Sequence, residues 1–349
     1  MIEVGIVGAS GFTGVELLRL CATHPELHVA LATGDTQAGA AVASLYPSLS
    51  AAYPDLVFRT YDPADLDGID LVFCGLPHGA SQALMPEMRE RVRWVVDLAA
   101  DFRLQDADLY PTWYGEAHSA PELLGDFAYG LPDLFRADLE KATAVAVPGC
   151  YPTASALALA PLVSAGLVEL DTIVVNAVSG VSGAGRPPKP NTTFCAVDED
   201  FTAYGLLTHR HTPEIEQSVT RLSGAPPGEV KVVFTPHLAP MNRGMLVTAY
   251  LRPVGGLAHT TAQLLDLYRE SYAGEPFVVV TEGSPSTKAC LGSNTAHLTV
   301  RADERTGVII ALAAIDNLTK GASGQGVQCA NVLAGLPEAT GLPVVGVYP

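Results

Sequence analysis

The sequence predicts an α/β protein of two domains, the first on a parallel sheet and the second an α+β domain around a mostly antiparallel one. Three observations carry that reading. The chain has 349 residues, enough for two domains or one large one. Up to Gly149, short apolar runs alternate with helical patterns, as right-handed βαβ units do. After Cys150 the apolar runs lengthen and are joined by hairpin-like connections, with fewer helices between them.

Taken in order, residues 2–7 form a β-rich apolar run that enters GASGFTG and then the helical pattern VELLRLCATH. LHVALAT (27–33), IDLVFCGL (69–76), RWVVDLA (93–99) and TAVAVPG (143–149) read as further buried strands, with SQALMPEMRERV a helix between two of them. Residues 142–168 carry no charge, which is long enough to suggest a membrane span. Pro148, Gly149, Pro152 and Pro161 instead cut the stretch into strand, turn and short helix, with Pro152 at the first helical position. TIVVNAVSGVSG, EVKVVFTPHLAP, GMLVTAYLRPV, HLTVRAD and GVIIALAAI are the strands of the second domain, with helices near 212–222 and 258–273. The tail AIDNLTKGASGQGVQCANVLAGL reads as a final helix of small residues returning to the first domain. The expected boundaries are 1–149 with 317–349 for the first domain and 150–316 for a catalytic and oligomerisation domain.

Hydrophobic residues make up 48% of the chain and charged residues 16%, the balance of a globular protein with a sizeable core. The formal charge of −17 argues against broad contact with nucleic acid or an anionic membrane. An anionic ligand must therefore be held by local cations, backbone N–H groups and helix termini. The six cysteines stand at 21, 74, 150, 195, 290 and 329, without a CxxC pair, zinc spacing or disulfide framework. Reduced thiols in a cytoplasm are expected. MIEVGIVGAS has an acid where a secretory leader carries Lys or Arg, and no leader is expected.

Gly8, Gly11 and Gly14 form G-x-x-G-x-x-G between the first strand and the first helix. Glycine there lets backbone approach a pyrophosphate, and the helix start supplies N–H groups and positive dipole. This is the context of a Rossmann-type nucleotide-binding domain, and it makes Gly8, Ser10, Gly11, Phe12, Thr13 and Gly14 cofactor-binding candidates. No Lys or Arg lies between Arg19 and Arg59 to meet a 2′-phosphate. If NADP binds, Thr33, Thr36 and backbone N–H groups must do that work. Asp35 reads as a solvated turn residue, with a ribose hydroxyl as its alternative partner.

In PGCYPTASALALAPL, Cys150 sits at or just before the N-cap of a helix, where the dipole and free N–H groups favour the thiolate. That position makes it the candidate nucleophile. A nucleophilic thiol needs a proton handler, and THRHTPEIEQ (208–217) offers His209 and His211 just before a helix opened by Pro213 and Glu214. His211, nearer the helix, is the first choice and His209 a close second. No ligand set accompanies the His-x-His pair, so no metal is expected. His24, His28 and His259 read as surface or packing residues. Arg103 in DLAADFRL, Arg186 in SGVSGAGR and Arg243 in MNRGM are candidate partners for an anionic substrate.

GIVGASGFTG, LPHG (76–79), DLAADFRL, VPGCYPTA, SGVSGAGR, HRHTPEI, GSNTAH (292–297) and AIDNLTKGASGQ together resemble the N-acetyl-γ-glutamyl-phosphate reductases, within the wider glyceraldehyde-3-phosphate/aspartate-semialdehyde dehydrogenase-like group. The resemblance runs nearly the whole chain, and VPGCYPTA is its most specific stretch. It implies Cys150 as nucleophile, a histidine of HRHTPEI as acid/base catalyst, Asn317 near the nicotinamide, Ser182 and Gly183 on the cofactor and Tyr151 at the substrate. It also implies NADPH as the usual cofactor, NADH not excluded, and a homotetramer acting on a small acyl phosphate, its semialdehyde and phosphate. Many members carry Ser-Arg where this chain has Gly34-Asp35, a departure that bears on the 2′-phosphate. A sister enzyme of lysine synthesis shows GCNAT where this chain has Gly149-Cys150-Tyr151-Pro152-Thr153, which favours the arginine pathway. The rival readings are another acyl-phosphate reductase, acting on aspartyl phosphate or carrier-bound aminoadipyl phosphate, and a nonenzymatic nucleotide sensor.

Overall fold

The computed structural model describes residues 1–348 and divides into two compact units, 1–148 with 322–342, and 149–321 with 343–348. The closing residues, expected with the first domain, belong to the second unit. The Asn294 N–H donates to Pro343 O at 2.8 Å and the Val347 N–H to Leu291 O at 2.7 Å.

The first unit is a six-stranded sheet of β1 (Ile2–Val7), β2 (Leu27–Ala32), β3 (Leu71–Cys74), β4 (Trp94–Asp97), β5 (Phe127–Tyr129) and β6 (Ala144–Ala146). The strand order is β2-β1-β3-β4-β6-β5, and every pairing is parallel. β3, β4 and β6 are buried at every residue, as continuous Val/Ala/Leu runs are when helices cover both faces. The helices are α1 (Phe12–Cys21), α2 (Val42–Leu45), α3 (Ala80–Arg91), α4 (Tyr110–Tyr114) and α5 (Pro132–Leu139), with the returning segment Gly324–Leu333. Strand order reverses between β1 and β3, the crevice where doubly wound sheets bind ligands. β5, an edge strand of three residues, lies in a stretch too short and too plain for the apolar pattern to announce it.

The second unit opens with α6 (Cys150–Ser164), buried from Tyr151 to Val163, so an uncharged run that resembled a span is a core helix. Among the described residues no helix is long and apolar enough to cross a membrane. Pro161 has no N–H for the carbonyl of Leu157, and the Tyr272 hydroxyl donates to that oxygen instead, at 2.5 Å. The sheet contains β7 (Ile173–Gly180), β8 (Thr202–Ala203), β9 (Val232–Ala239), β10 (Met245–Leu251), β11 (Val278–Val280), β12 (Ala296–Asp303) and β13 (Val308–Ile315). Its order is β11-β12-β13-β10-β7-β9-β8. Alternating burial along β7, β9 and β10 marks one covered face, against which α6, α8 (Thr212–Ser223) and α9 (Thr261–Ser271) pack; α7 (Phe194–Val197) is a single exposed turn.

Most pairings are antiparallel, but β7–β9 and β11–β12 are parallel. The hairpin-like succession of β9 and β10 is not a hairpin, because β7 lies between them. The chain crosses from β7 through α8 to β9, and a helical crossover returns a strand parallel to its predecessor. The tail is likewise not one helix. A π-turn, Thr319–Ser323, precedes α10 (Gly324–Leu333), and Asn317 stands before both.

Candidate active site

The glycines of the first turn meet three different demands. Gly8 holds φ +88°, and a Cβ there would lie 2.5 Å from Gly75 O. Gly14 lies so near β1's end that a Cβ would stand 2.4 Å from Ala9 Cα. Gly11, the N-cap of α1, has nothing closer than Gly8 O at 3.6 Å, so its open side is where foreign atoms can approach. Phe12 and Thr13 follow with first-turn N–H groups that have no acceptor in the helix, and no acid in that turn opposes an anion. A tight turn, an open middle glycine and a bare helix start fit a pyrophosphate. Thr33 is buried and accepts the Gly8 N–H at 3.2 Å, so its hydroxyl props the turn rather than standing free for phosphate. Thr36 is exposed beside Asp35 in a short 3-10 turn.

Arg103 is engaged within the first unit. It is buried, with Nε on Val147 O at 2.8 Å and Nη2 on Leu98 O at 2.9 Å, tying the loop after β4 to the end of β6. Near it, the His78 of LPHG pairs through Nδ1 with Asp101. Burial works against ionisation of Asp101, but bonds from His78, Gly79, Gln82 and Ser81 outweigh it and hold the carboxyl at about 2. Asp97, fully buried beside it, is pushed up to about 7 by that burial.

In the second unit, Gly149 is the N-cap of α6 and Cys150 its first residue, partly exposed; Pro152 is third, not first. The four leading N–H groups of a helix lack intrahelical partners, so proline is tolerated there as well. Its missing N–H has a consequence for the thiol. Of the N–H groups that follow Cys150, Pro152 has none and Thr153's is bonded to Gly149 O at 2.9 Å, which leaves Tyr151's. Gly321 is pressed against Cys150, since a Cβ there would lie 2.8 Å from Cys150 Cβ. That approach requires glycine in the π-turn.

His211 is the N-cap of α8, buried, with its ring over Gly149: a Cβ on Gly149 would lie 2.3 Å from His211 Nε2. Glu214, three residues on and fully buried, accepts the Gly149 N–H at 2.8 Å through Oε1 and sets Oε2 4.0 Å from His211 Nε2. One carboxylate therefore fixes the backbone beside the thiol and faces the imidazole. Glu214 was legible only as a helix opener; its place three residues after the histidine in a Pro-led first turn is the signal that identifies it. His209 is placed differently. Its Nδ1 accepts the His211 backbone N–H at 3.2 Å, and its ring is wedged edge-on among Tyr151, Tyr204 and Phe234. Burial and the adjacent Arg210 charge lower its pKa to about 4, so at neutral pH it is an uncharged brace. Tyr151 is buried too, accepting from Tyr204 at 3.1 Å and donating to His237 O at 3.2 Å, a wall of the site rather than an open contact.

Ser182, Gly183 and Asn317 come together. Asn317 donates to Ser182 Oγ at 2.9 Å and accepts the Gly244 N–H at 2.7 Å, and a Cβ on Gly183 would lie 3.7 Å from its Nδ2. Arg243 is held by buried Asp316 at 2.9 Å and by Thr319 at 2.8 Å, which fixes it as an anchor of the π-turn. Arg186, half-buried beyond the same loop, makes no hydrogen bond or ion pair among the described residues. No cluster of three or more His, Cys, Asp or Glu among the described residues is arranged to hold a metal.

Residues 3–142 match the NAD-binding domain of semialdehyde dehydrogenases and residues 150–317 match their dimerisation domain. Proteins named N-acetyl-gamma-glutamyl-phosphate reductase align over the full chain. That of Symbiobacterium thermophilum is 49% identical, covering 100% of this chain and 99% of its own. Those of Citrifermentans bemidjiense and Pseudomonas aeruginosa are 46% and 44% identical, each over 100% of both chains. Among solved structures, aspartate semialdehyde dehydrogenase with NADP from Candida albicans superposes with a TM-score of 0.72 at 17% identity, over 96% of this chain and 99% of that one. The Vibrio cholerae aspartate semialdehyde dehydrogenase II complexed with ASA gives 0.71 at 17%, over 96% and 98%. At such identity these two share the fold.

Proposed function

We propose, from the premise that this chain belongs to the N-acetyl-gamma-glutamyl-phosphate reductase family of semialdehyde dehydrogenases, that it reduces N-acetyl-γ-glutamyl phosphate with NADPH to N-acetylglutamate 5-semialdehyde and phosphate, in arginine biosynthesis. The observation that carries the reading is the thiol of Cys150 on the bare start of α6, beside a glycine that both His211 and Glu214 hold.

His211 takes the thiol proton, and Glu214 balances the imidazolium that results. The Cys150 thiolate attacks the acyl carbon, the bond to phosphate oxygen breaks, and a thioester remains on the sulfur. NADPH, bound at the glycine turn, supplies a hydride to the acyl carbon. His211 lends its proton to the oxygen of the resulting thiohemiacetal and takes it back as the carbon–sulfur bond breaks, releasing aldehyde and thiolate. The Tyr151 N–H and the dipole of α6 stabilise negative charge through both halves. Arg186 meets the phosphoryl or carboxylate groups of the substrate. Gly8, Ser10, Gly11, Phe12, Thr13 and Gly14 would hold the pyrophosphate of the dinucleotide, and Ser182, Gly183 and Asn317 are the cofactor-binding candidates of the second unit. The protein works in the cytoplasm as a homotetramer.

The test is the reverse reaction, N-acetylglutamate semialdehyde plus phosphate with NADP, run beside NAD and beside aspartate semialdehyde. Cys150→Ser is expected to abolish turnover and spare nucleotide binding. Near-normal rates in that variant would sink the covalent route, and faster turnover of aspartate semialdehyde would move the substrate to the rival class.

A further inference from the structure

NADPH differs from NADH by a 2′-phosphate on the adenosine ribose, which in doubly wound sheets lies near the end of the second strand and is met by a nearby arginine. No cation stands there in the sequence: after Arg19 the next Lys or Arg is Arg59, and the residue following Gly34 is the exposed acid Asp35. The fold supplies what the local sequence lacks. The segment before Arg59 comes back alongside the end of β2. The Arg59 N–H donates to Ala32 O at 2.9 Å, the Gly34 N–H donates to Arg59 O at 2.9 Å, and Thr33 and Arg59 are partners in a parallel bridge. Arg59 is thus fixed about 5 Å, one strand spacing, from the residue whose hydroxyl props the phosphate turn.

Phe58 is fully buried and the next side chain turns outward, leaving the Arg59 side chain 62% exposed. Its ion pair is with Asp65, at 3.2 Å, and an exposed pair of this kind is easily exchanged for a stronger partner. Ser10 adds a second feature. A Cβ on Gly34 would lie 2.8 Å from Ser10 Cβ and 2.9 Å from Ser10 Oγ, so Ser10 occupies the space a side chain at 34 would take. The Tyr46 hydroxyl donates to the Ser10 carbonyl at 2.7 Å and holds it there, while the Ser10 hydroxyl makes no hydrogen bond among the described residues.

We propose that Arg59 binds the 2′-phosphate of NADPH, exchanging Asp65 for it, with the Ser10 hydroxyl as a second donor. The proposal rests on the NADPH reading above. Asp35 and Asp65 are the acids near the phosphate. Asp35 is suited to a bare ribose hydroxyl, so this chain discriminates against NADH less sharply than a site without that carboxylate.

The test titrates 2′,5′-ADP and 5′-AMP, which differ only by the 2′-phosphate, separately into the full chain and into Arg59→Gln by calorimetry. Wild type is expected to bind 2′,5′-ADP the more tightly. Arg59→Gln should lose tenfold or more on 2′,5′-ADP, the scale of one charged hydrogen bond, and less than twofold on 5′-AMP. Equal losses on both ligands, or no loss on either while wild type still prefers 2′,5′-ADP, would overturn the role of Arg59. A wild type that does not distinguish the two ligands overturns the NADPH reading itself, and the proposal with it.

Discussion

Gly149→Ala is the most informative single substitution at the thiol. Gly149 has φ −63° and ψ 154°, a conformation any residue adopts, so the backbone accepts alanine and only the added carbon does damage. That carbon would stand 2.3 Å from Nε2, 2.7 Å from Cε1 and 2.8 Å from Cδ2 of His211. Ordinary carbon contacts begin near about 3.5 Å, so the imidazole must retreat by roughly 1 Å. A displacement of that size at a reacting group costs on the order of 10²-fold in rate. The strain and the poorer N-cap together cost about 2 kcal/mol of stability, leaving a chain of this size folded. The assay is kcat with saturating substrates, beside nucleotide affinity and Tm. Gly125→Ala is the control, since a Cβ there meets nothing within 4 Å. We expect kcat down about a hundredfold, nucleotide affinity unchanged, and the control at wild-type rate. A Gly149→Ala enzyme within threefold of wild-type kcat would refute the assignment of His211 as the proton handler.

Arg186→Ala should raise KM for the acyl phosphate about tenfold with Tm unchanged, whereas Arg243→Ala takes the cation from the buried Asp316 carboxylate, leaving it the Gly292, Leu318 and Thr319 N–H groups, and should cost about 1.5–3 kcal/mol, read in a urea melt. His209 supplies a pH signature. Its folded pKa of about 4 lies below its usual 6.5, so the unfolded chain binds the proton first as pH falls. The contribution is complete above pH 6.5 and is lost between 6.5 and about 4, at most about 3 kcal/mol. Urea midpoints should therefore fall across that window in wild type and less steeply in His209→Gln.

Most of the sheet strands were legible because parallel burial leaves unbroken apolar runs and one-sided burial leaves alternation. β5 and β11 were not, being three residues each, nor was β8, a pair of exposed residues. The neighbour relation of β7 and β9 was hidden because it depends on a crossover and not on local pattern. At the site, Cys150 and His211 declared themselves by standing at helix starts, a property written in a few adjacent residues. The close approaches of Gly149 to His211 and of Gly321 to Cys150 join positions far apart in the chain, and no local composition encodes them. Arginines misled for a related reason. Arg103 and Arg243 sit on rigid turns as expected, but fully buried backbone and carboxylate oxygens claim them, while Arg59 gained its interest from a strand return that the sequence does not announce.

Cys150, His211 and Glu214 all belong to one compact unit, and the glycine turn with Thr33 and Arg59 belongs to the other. Under the roles proposed above, coenzyme choice and acyl chemistry rest on residues of different units. Substitutions around the end of β2 then alter the preference between pyridine nucleotides while leaving every contact of Gly149, His211 and Glu214 in place.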